Sequence, residues 1–222
     1  MEHYDSIVVA VTGGMGCGQT TVCQYFEKMG AKCINADMIA KREIEINDEI
    51  QKELKRVFGS RIFYRNGKLN RKLLARIAFS DDTKTEQLNR IVHPQMVARI
   101  ISTIEEARES GKYNIICVDA ALIYEMSLEH MFDAVVVVSS KMPNRIERIK
   151  QREKISDQEI VDRISKQIPL EDKVKWADFV IRNDRDLETL EKNCRNVYQK
   201  LKNIARKKRQ SAPKKEKAFT GS

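Results

Sequence analysis

The sequence lacks any apolar run long enough to cross a membrane. Its richest apolar runs, residues 115–118 and 134–138, have the length of strands, whereas a spanning helix needs about 20 apolar residues. The opening residues, M-E-H-Y-D-S, contain no basic stretch followed by an apolar one, so we expect no signal peptide. These absences exclude an integral membrane protein as the functional class.

Cysteine is scarce and is not arranged for cross-linking. The chain has five cysteines, an odd number, and no two of them form a C-x-x-C pair. This pattern argues against a disulfide framework and against a structural zinc site. The simplest compartment for such a chain is a reducing cytoplasm.

Acidic residues are nearly absent from the C-terminal end of the chain. Residues 206–222 contain seven basic residues and one acidic residue, so they carry +6 of the net charge of +9. We expect 206–222 to be a disordered, solvated basic tail; contact with RNA or a membrane surface is the other interpretation. No aromatic residues alternate with the basic ones, as base stacking would require. Apart from weak contact by this tail, we expect neither nucleic acid nor membrane as a partner.

Short apolar runs alternate with longer amphipathic stretches along the 222 residues. This alternation predicts an α/β fold with a parallel sheet of about five strands. Strands are predicted at residues 6–12, 32–35, 114–119, 134–139 and 179–181. Helices are predicted at residues 20–29, 38–58, 71–79, 82–92, 94–109, 143–154, 157–168 and 186–207.

A glycine-rich segment follows the first predicted strand and precedes the first helix. It reads G-G-M-G-C-G-Q-T-T over residues 13–21, against the phosphate-loop pattern G-x-x-x-x-G-K-[ST]. Backbone N–H groups of such a loop form an anion nest, strengthened by the helix dipole. We expect the nucleotide to bind at Gly13, Gly14, Met15, Gly16, Cys17, Gly18, Gln19, Thr20 and Thr21, with Thr20 as a Mg²⁺ ligand. A plain glycine turn is the alternative.

Gln19 stands where the phosphate-loop pattern has lysine. Glutamine donates hydrogen bonds but is neutral, and a charge-assisted hydrogen bond is roughly twice as strong as a neutral one. The loss predicts a rate or nucleotide affinity lower by about tenfold to a few hundredfold. Another cation could replace the lysine, and the basic helix with Arg145, Arg148 and Arg152 is the obvious source.

Six further motifs follow in a fixed order. They are N-A-D-M-I-A at 35–40, G-K-L-N-R at 67–71, His93-Pro94, V-D-A-A-L-I-Y-E at 118–125, the set Arg148, Arg152, Arg163 and Gln167, and A-D-F-V-I-R-N at 177–183. With the glycine-rich loop, they resemble the motifs of the dephospho-coenzyme A kinase family over residues 7–201. The family pattern has serine at the position of Cys17, lysine at Gln19, aspartate at Asn35 and Asn70, and proline at Ala121, so the sequence departs from it at these five positions.

The resemblance implies a three-layer P-loop fold, similar to nucleoside-monophosphate kinases. One kinase domain would span 1–205, with a helical acceptor-binding region at about 39–92 and a lid at about 141–167. The implied reaction is the phosphorylation of the ribose 3′-hydroxyl of dephospho-coenzyme A by ATP, the last step of coenzyme A synthesis. ATP and dephospho-coenzyme A are the implied partners, and Mg²⁺ is the implied cofactor.

The resemblance also assigns roles to single residues. Asp37 would be the general base that accepts the hydroxyl proton; its ordinary interpretation is an N-cap of the following helix. Arg148 and Arg152 would close over ATP as a lid, or form an exposed charged helix face. Arg71, His93 and Asp119 would belong to the substrate side of the site. Asp119 also closes an apolar strand, as the magnesium-organising aspartate of P-loop proteins does.

Two alternatives to an active dephospho-coenzyme A kinase stay open. The first is a catalytically weak or inactive relative that binds nucleotide or coenzyme A, which Gln19 and the basic tail favour. The second is another small-molecule P-loop kinase, which the loop alone does not exclude. The motifs around Asp37 and His93 speak against the second alternative.

Overall fold

The computed structural model describes residues 6–153 and 155–211. Five strands form one sheet in the order β2-β3-β1-β4-β5. The strands are β1 Ile7–Gly13, β2 Lys32–Asn35, β3 Ile115–Asp119, β4 Ala134–Ser139 and β5 Phe179–Arg182. The pairs β1–β3, β1–β4 and β4–β5 are parallel. The predicted α/β class and strand number are therefore confirmed.

The described residues contain nine α-helices. They are α1 Gln19–Lys28, α2 Ala36–Ile46, α3 Asp48–Phe58, α4 Arg71–Ala78, α5 Asp82–Glu109, α6 Met142–Arg152, α7 Asp157–Ser165, α8 Leu170–Trp176 and α9 Leu187–Ser211. Two compact units result. The first contains the sheet and takes the described residues up to Ile34 and from Glu106 onward; the second is Asn35–Glu105.

The first unit buries apolar side chains on both faces of the sheet. Every residue of β1 and β3 is buried, because a parallel sheet is covered on both sides. Successive side chains of a strand point to opposite faces. Val9 and Val11 accordingly join a core cluster with α1 and α9, whereas Ala10 joins the cluster on the other face. On the α9 side, the rings of Phe26 and Tyr198 lie 5.5 Å apart.

The second unit has a core of its own, supplied by α3, α4 and α5. Ile50, Leu54, Leu74 and Val92 are buried together there with neighbouring apolar residues. This separate core explains why the segment is a compact unit and not a set of loops on the sheet.

The main differences from the predicted helix boundaries in the second unit are at Asn47 and Pro94. The helix predicted at 38–58 is two helices, because Asn47 Oδ1 accepts hydrogen bonds from the N–H groups of Glu49 (3.0 Å) and Ile50 (3.2 Å) and starts a new helix. Conversely, α5 continues through Pro94, where a new helix was predicted. Proline removes one backbone donor, and the burial of Val92 and Met96 on either side keeps the helix in place.

The predicted start of the tail at residue 206 is wrong. Residues 206–211 form the last turns of α9. Lys208 Nζ forms an ion pair with Asp133 at 2.7 Å, and Ala205 is buried just before it. These contacts give the last turns partners on the first unit, so they are ordered despite their charge. Residues 212–222 of the predicted tail lie outside the described residues.

Two predicted absences can be examined in the part of the chain that the structure describes. All five cysteines are free thiols. No helix among the described residues combines the length and the apolar character that a membrane span requires.

The packing of α9 against the sheet predicts a large stability loss for Leu201→Ala. Leu201 is fully buried in the cluster, and truncation of a buried leucine costs about 2–5 kcal/mol. We expect urea denaturation to show a loss in this range. The exposed neighbour Lys202 provides the control, because Lys202→Ala should change the free energy of unfolding by less than about 0.5 kcal/mol. Equal effects of the two variants would contradict this packing.

Candidate active site

The glycine-rich loop joins the end of β1 to the start of α1. Gly16 and Gly18 have φ angles of 80° and 95°, a region that side-chain-bearing residues rarely adopt. Space is restricted as well. A Cβ on Gly16 would lie 2.8 Å from the carbonyl oxygen of Arg145, and one on Gly18 would lie 2.5 Å from Asn183 Nδ2. Both positions therefore require glycine for conformation and for close approach.

Two arginines of α6 contact carbonyl oxygens of this loop. Arg145 Nε donates to the carbonyl of Met15 at 2.9 Å. Arg148 Nη1 lies 3.5 Å from the carbonyl of Gly16, and its Nη2 donates to the carbonyl of Asn183 at 2.8 Å. The charged face of α6 thus packs against the loop and holds its carbonyls.

Side chains from the C-terminal third of the chain contact the remaining loop groups. Asn183 Nδ2 donates to the carbonyl of Cys17 at 2.8 Å. Gln167 Oε1 accepts from the N–H of Met15 at 2.9 Å, and Lys173 Nζ lies 3.4 Å from the carbonyl of Gly13. Because surrounding side chains donate hydrogen bonds to the loop carbonyls, the shape of the loop is fixed before any ligand binds.

Lys173 is a site residue that no sequence motif identified. It is completely buried, and its Nζ lies 2.6 Å from Glu125 Oε1 and 3.1 Å from the carbonyl of Ala121. A lone lysine in the charged stretch L-E-D-K-V-K-W carries no signal of burial. Its burial follows from α8 packing behind the loop, which only the tertiary fold brings about.

The predicted magnesium residues are neighbours. Thr20, in the first turn of α1, donates through Oγ1 to Asp119 Oδ2 at 3.0 Å. Asp119 ends β3 and is only 9% exposed. Hard oxygen donors suit Mg²⁺, which keeps several waters and uses one or two protein ligands with substrate phosphates. The oxygen atoms of Thr20 and Asp119 fit that sparse mode of binding. The described residues contain no cluster of three histidine, cysteine or acidic residues that could hold a metal.

The two arginines predicted to form a lid have different surroundings. Arg148 is half-buried and bonded to the loop and to Asn183. Arg152 is at the exposed end of α6, where its Nη2 pairs with Glu153 at 3.1 Å. Glu153 also pairs with Arg163 at 2.8 Å. Only Arg148 is therefore joined to the loop in this structure.

Asp37 and the other residues of its motif begin α2 in the second unit. Asn35 is the N-cap, because its Oδ1 accepts from the N–H of Met38 at 2.8 Å. Asp37 lies in the first turn and is exposed. The interpretation of Asp37 as the N-cap is wrong, since that position is occupied two residues earlier.

The predicted substrate residues Arg71 and His93 lie on two other helices of the second unit. Arg71 begins α4, directly after the N-cap Asn70, and forms an ion pair with Glu45. His93 lies within α5, and burial lowers the pKa of its imidazole. Its neutral form is therefore favoured at pH 7.

The sequence profile of the dephospho-CoA kinase family matches residues 7–189. The chain belongs to this family. The dephospho-CoA kinase of Bacillus licheniformis is 33% identical over 199 residues, which are 90% of this chain and 98% of that protein. The dephospho-CoA kinase of Leptospira interrogans is 33% identical over 205 residues, with the same coverage of both chains.

Solved structures agree with the family. A crystal structure from Thermus thermophilus has 27% identity and a TM-score of 0.74, covering 88% of this chain and 98% of its own. A dephospho-CoA kinase from Campylobacter jejuni has 25% identity and a TM-score of 0.60, covering 89% of this chain and 98% of its own. The P-loop kinase fold predicted from the sequence is thereby confirmed.

The confined position of Gly16 predicts a specific effect of Gly16→Ala. The substitution adds a left-handed conformational cost of about 1–2 kcal/mol and a clash with the carbonyl of Arg145. We expect at least about a tenfold weaker affinity for ADP, measured by calorimetry, because 1.4 kcal/mol corresponds to a factor of ten.

Gly111→Ala is the matched control for this prediction. Gly111 also has a positive φ, 64°, but a Cβ there would meet nothing within 4 Å. This variant carries the conformational cost without the clash. An equal loss of ADP affinity in both variants would show that general destabilisation, and not the confinement of Gly16, weakens ADP binding.

Proposed function

We propose that this chain transfers the γ-phosphoryl group of ATP to the ribose 3′-hydroxyl of dephospho-coenzyme A, producing coenzyme A and ADP. The family match over residues 7–189 carries the proposal. The structure adds a supporting observation: a shaped phosphate loop stands beside a hydrogen-bonded Thr20–Asp119 pair. Both are parts that phosphoryl transfer to an alcohol requires.

On the donor side, the phosphate groups of ATP would be bound by the loop and by Mg²⁺. Loop N–H groups bind phosphate oxygens, and α1 directs the positive end of its dipole at the same place. Thr20 and Asp119 would hold Mg²⁺, which neutralises charge that develops between the β- and γ-phosphates. Phosphoryl transfer depends on how the phosphates are positioned and how their charge is neutralised. A loop whose carbonyls are already hydrogen-bonded holds its N–H groups in a fixed position for this purpose.

The acceptor-side roles follow from the motifs of the family. Asp37 would accept the proton of the attacking hydroxyl, and its exposed carboxylate is available for this role. Arg71 and His93 would bind dephospho-coenzyme A, the latter as a neutral imidazole. Arg148 and Arg152 would stabilise the charge on the transferred group, and the location of Arg148 at the loop supports its part.

Gln19 favours one competing function, a relative that binds nucleotide or coenzyme A with little turnover. Its neutral amide lacks the charge that the lysine of the pattern places on the β- and γ-phosphates.

For the active enzyme, we propose a reducing cytoplasmic location, consistent with five free thiols.

Acceptor-dependent turnover is the direct test of the function. With ATP and Mg²⁺ present, we expect ADP release only when dephospho-coenzyme A is added, together with coenzyme A as product by mass spectrometry. Removal of Mg²⁺ by EDTA should abolish the reaction because the phosphate charge is then unbalanced. A nucleoside monophosphate offered as acceptor serves as the control. Turnover with that acceptor alone would assign the chain to another small-molecule kinase. ADP binding without any turnover would support the binding relative.

Removal of the proposed base predicts a loss of rate without a loss of binding. We expect Asp37→Asn to lower kcat by about 10²–10⁴-fold and to leave the KM for dephospho-coenzyme A nearly unchanged. Asp48→Asn is the control, since Asp48 is also an exposed acid in the first turn of a helix of the second unit. An Asp37→Asn enzyme with full kcat would remove Asp37 from the mechanism.

A further inference from the structure

Arg145 is a buried cation that lies directly on the phosphate loop. The residue is 5% exposed. Its Nε is fixed by the carbonyl of Met15 at 2.9 Å, and a Cβ on Gly14 would lie 2.6 Å from its Nη2. The guanidinium plane is therefore in contact with the backbone of Gly14 and cannot swing freely.

The charge of Arg145 has no counter-ion in the described part of the chain. Neither Nη1 nor Nη2 forms a hydrogen bond or ion pair to a described residue. The charged groups of the other cations near the loop have partners. Both Nη atoms of Arg148 contact carbonyl oxygens, those of Gly16 and Asn183. Lys173 pairs with Glu125, and Arg152 pairs with Glu153. A guanidinium that is only 5% exposed and has no acidic partner is costly, and its position beside an anion nest indicates that an anionic ligand is its partner.

Arg145 and Gln19 lie close to successive residues of the loop. The Nε2 atom of Gln19 would be 3.3 Å from a Cβ on Gly13, whereas the guanidinium of Arg145 covers Gly14. The positive charge that α1 lacks at position 19 is thus present next to the same stretch of backbone, on α6.

The charge of Arg145 also acts on the neighbouring thiol of Cys17. Burial raises the pKa of the Cys17 thiol, and the charge of Arg145 is the largest influence in the opposite direction. The positive potential of Arg145 therefore extends along the loop to Cys17.

We propose that Arg145 binds the phosphate chain of the nucleotide and supplies the positive charge that is absent from position 19. The inference rests on the proposed role of the loop as the nucleotide site. The bond from Nε to Met15 orients the guanidinium, and its Nη groups donate to phosphate oxygens. A guanidinium is suited to this because it presents several donors in a rigid plane.

Relocation of the charge tests this proposal. We compare Arg145→Gln, Gln19→Lys and the double variant Arg145→Gln/Gln19→Lys by calorimetry with Mg·ADP and with adenosine. Arg145→Gln should weaken ADP binding by about ten- to a hundredfold, the difference between a charge-assisted and a neutral contact, and leave adenosine binding unchanged. The double variant should bind ADP within about threefold of the natural protein, because the charge is restored from α1.

Arg195→Gln is the matched control. Arg195 is an exposed arginine of α9 in the first unit, paired with Glu191, and its loss should leave both affinities unchanged. Thermal melting of each variant reports whether the fold is intact. If Arg145→Gln unfolds, Arg145→Lys replaces it, and the retained charge should then keep ADP affinity within about tenfold.

Two results would overturn the proposal. One is unchanged ADP affinity in Arg145→Gln. The other is a loss that Gln19→Lys fails to recover in the double variant, which would make Arg145 only a structural support of Met15. A different result would contradict the proposed enzymatic function. A natural protein that binds ADP in an Arg145-dependent way but does not phosphorylate dephospho-coenzyme A would leave this inference intact.

Discussion

The first unit depends on how the carbonyl groups of the phosphate loop are bound. A loop that directs N–H groups at an anion must direct carbonyls elsewhere, and buried carbonyls need donors. Arg145, Asn183 and Lys173 supply donors from α6, from the end of β5 and from α8. Segments separated by more than a hundred residues therefore meet at one loop, and its conformation is a product of the whole unit.

This arrangement places positively charged side chains around the loop, in addition to the positive end of the α1 dipole. The lysine of the common pattern acts from within the loop, whereas here the cations approach from neighbouring helices. Lys173 is neutralised by Glu125, and Arg148 binds neutral oxygens. The electrostatic consequences of a glutamine at position 19 are thus set by α6 and α8, and they could not be assessed from the loop sequence.

Two departures from the family pattern preserve helix N-caps. Asn35 replaces the first aspartate of its motif and caps α2, and Asn70 replaces the aspartate before Arg71 and caps α4. Asparagine and aspartate are about equally good N-caps. These two substitutions therefore keep the local fold of the second unit while they remove negative charge.

The strands, the glycine-rich loop and the family could be predicted from the sequence, because these depend on local periodicity and on contiguous motifs. The likeness of both residues to P-loop positions also suggested Thr20 as a Mg²⁺ ligand and Asp119 as a magnesium-organising residue, and their hydrogen bond shows that they are neighbours. That Pro94 lies within α5 and that residues 206–211 are helical could be seen only in the folded chain. The same holds for the burial of Lys173 and Arg145 against the loop. Burial and ion pairing arise between segments that are distant in the chain, and no local pattern encodes them.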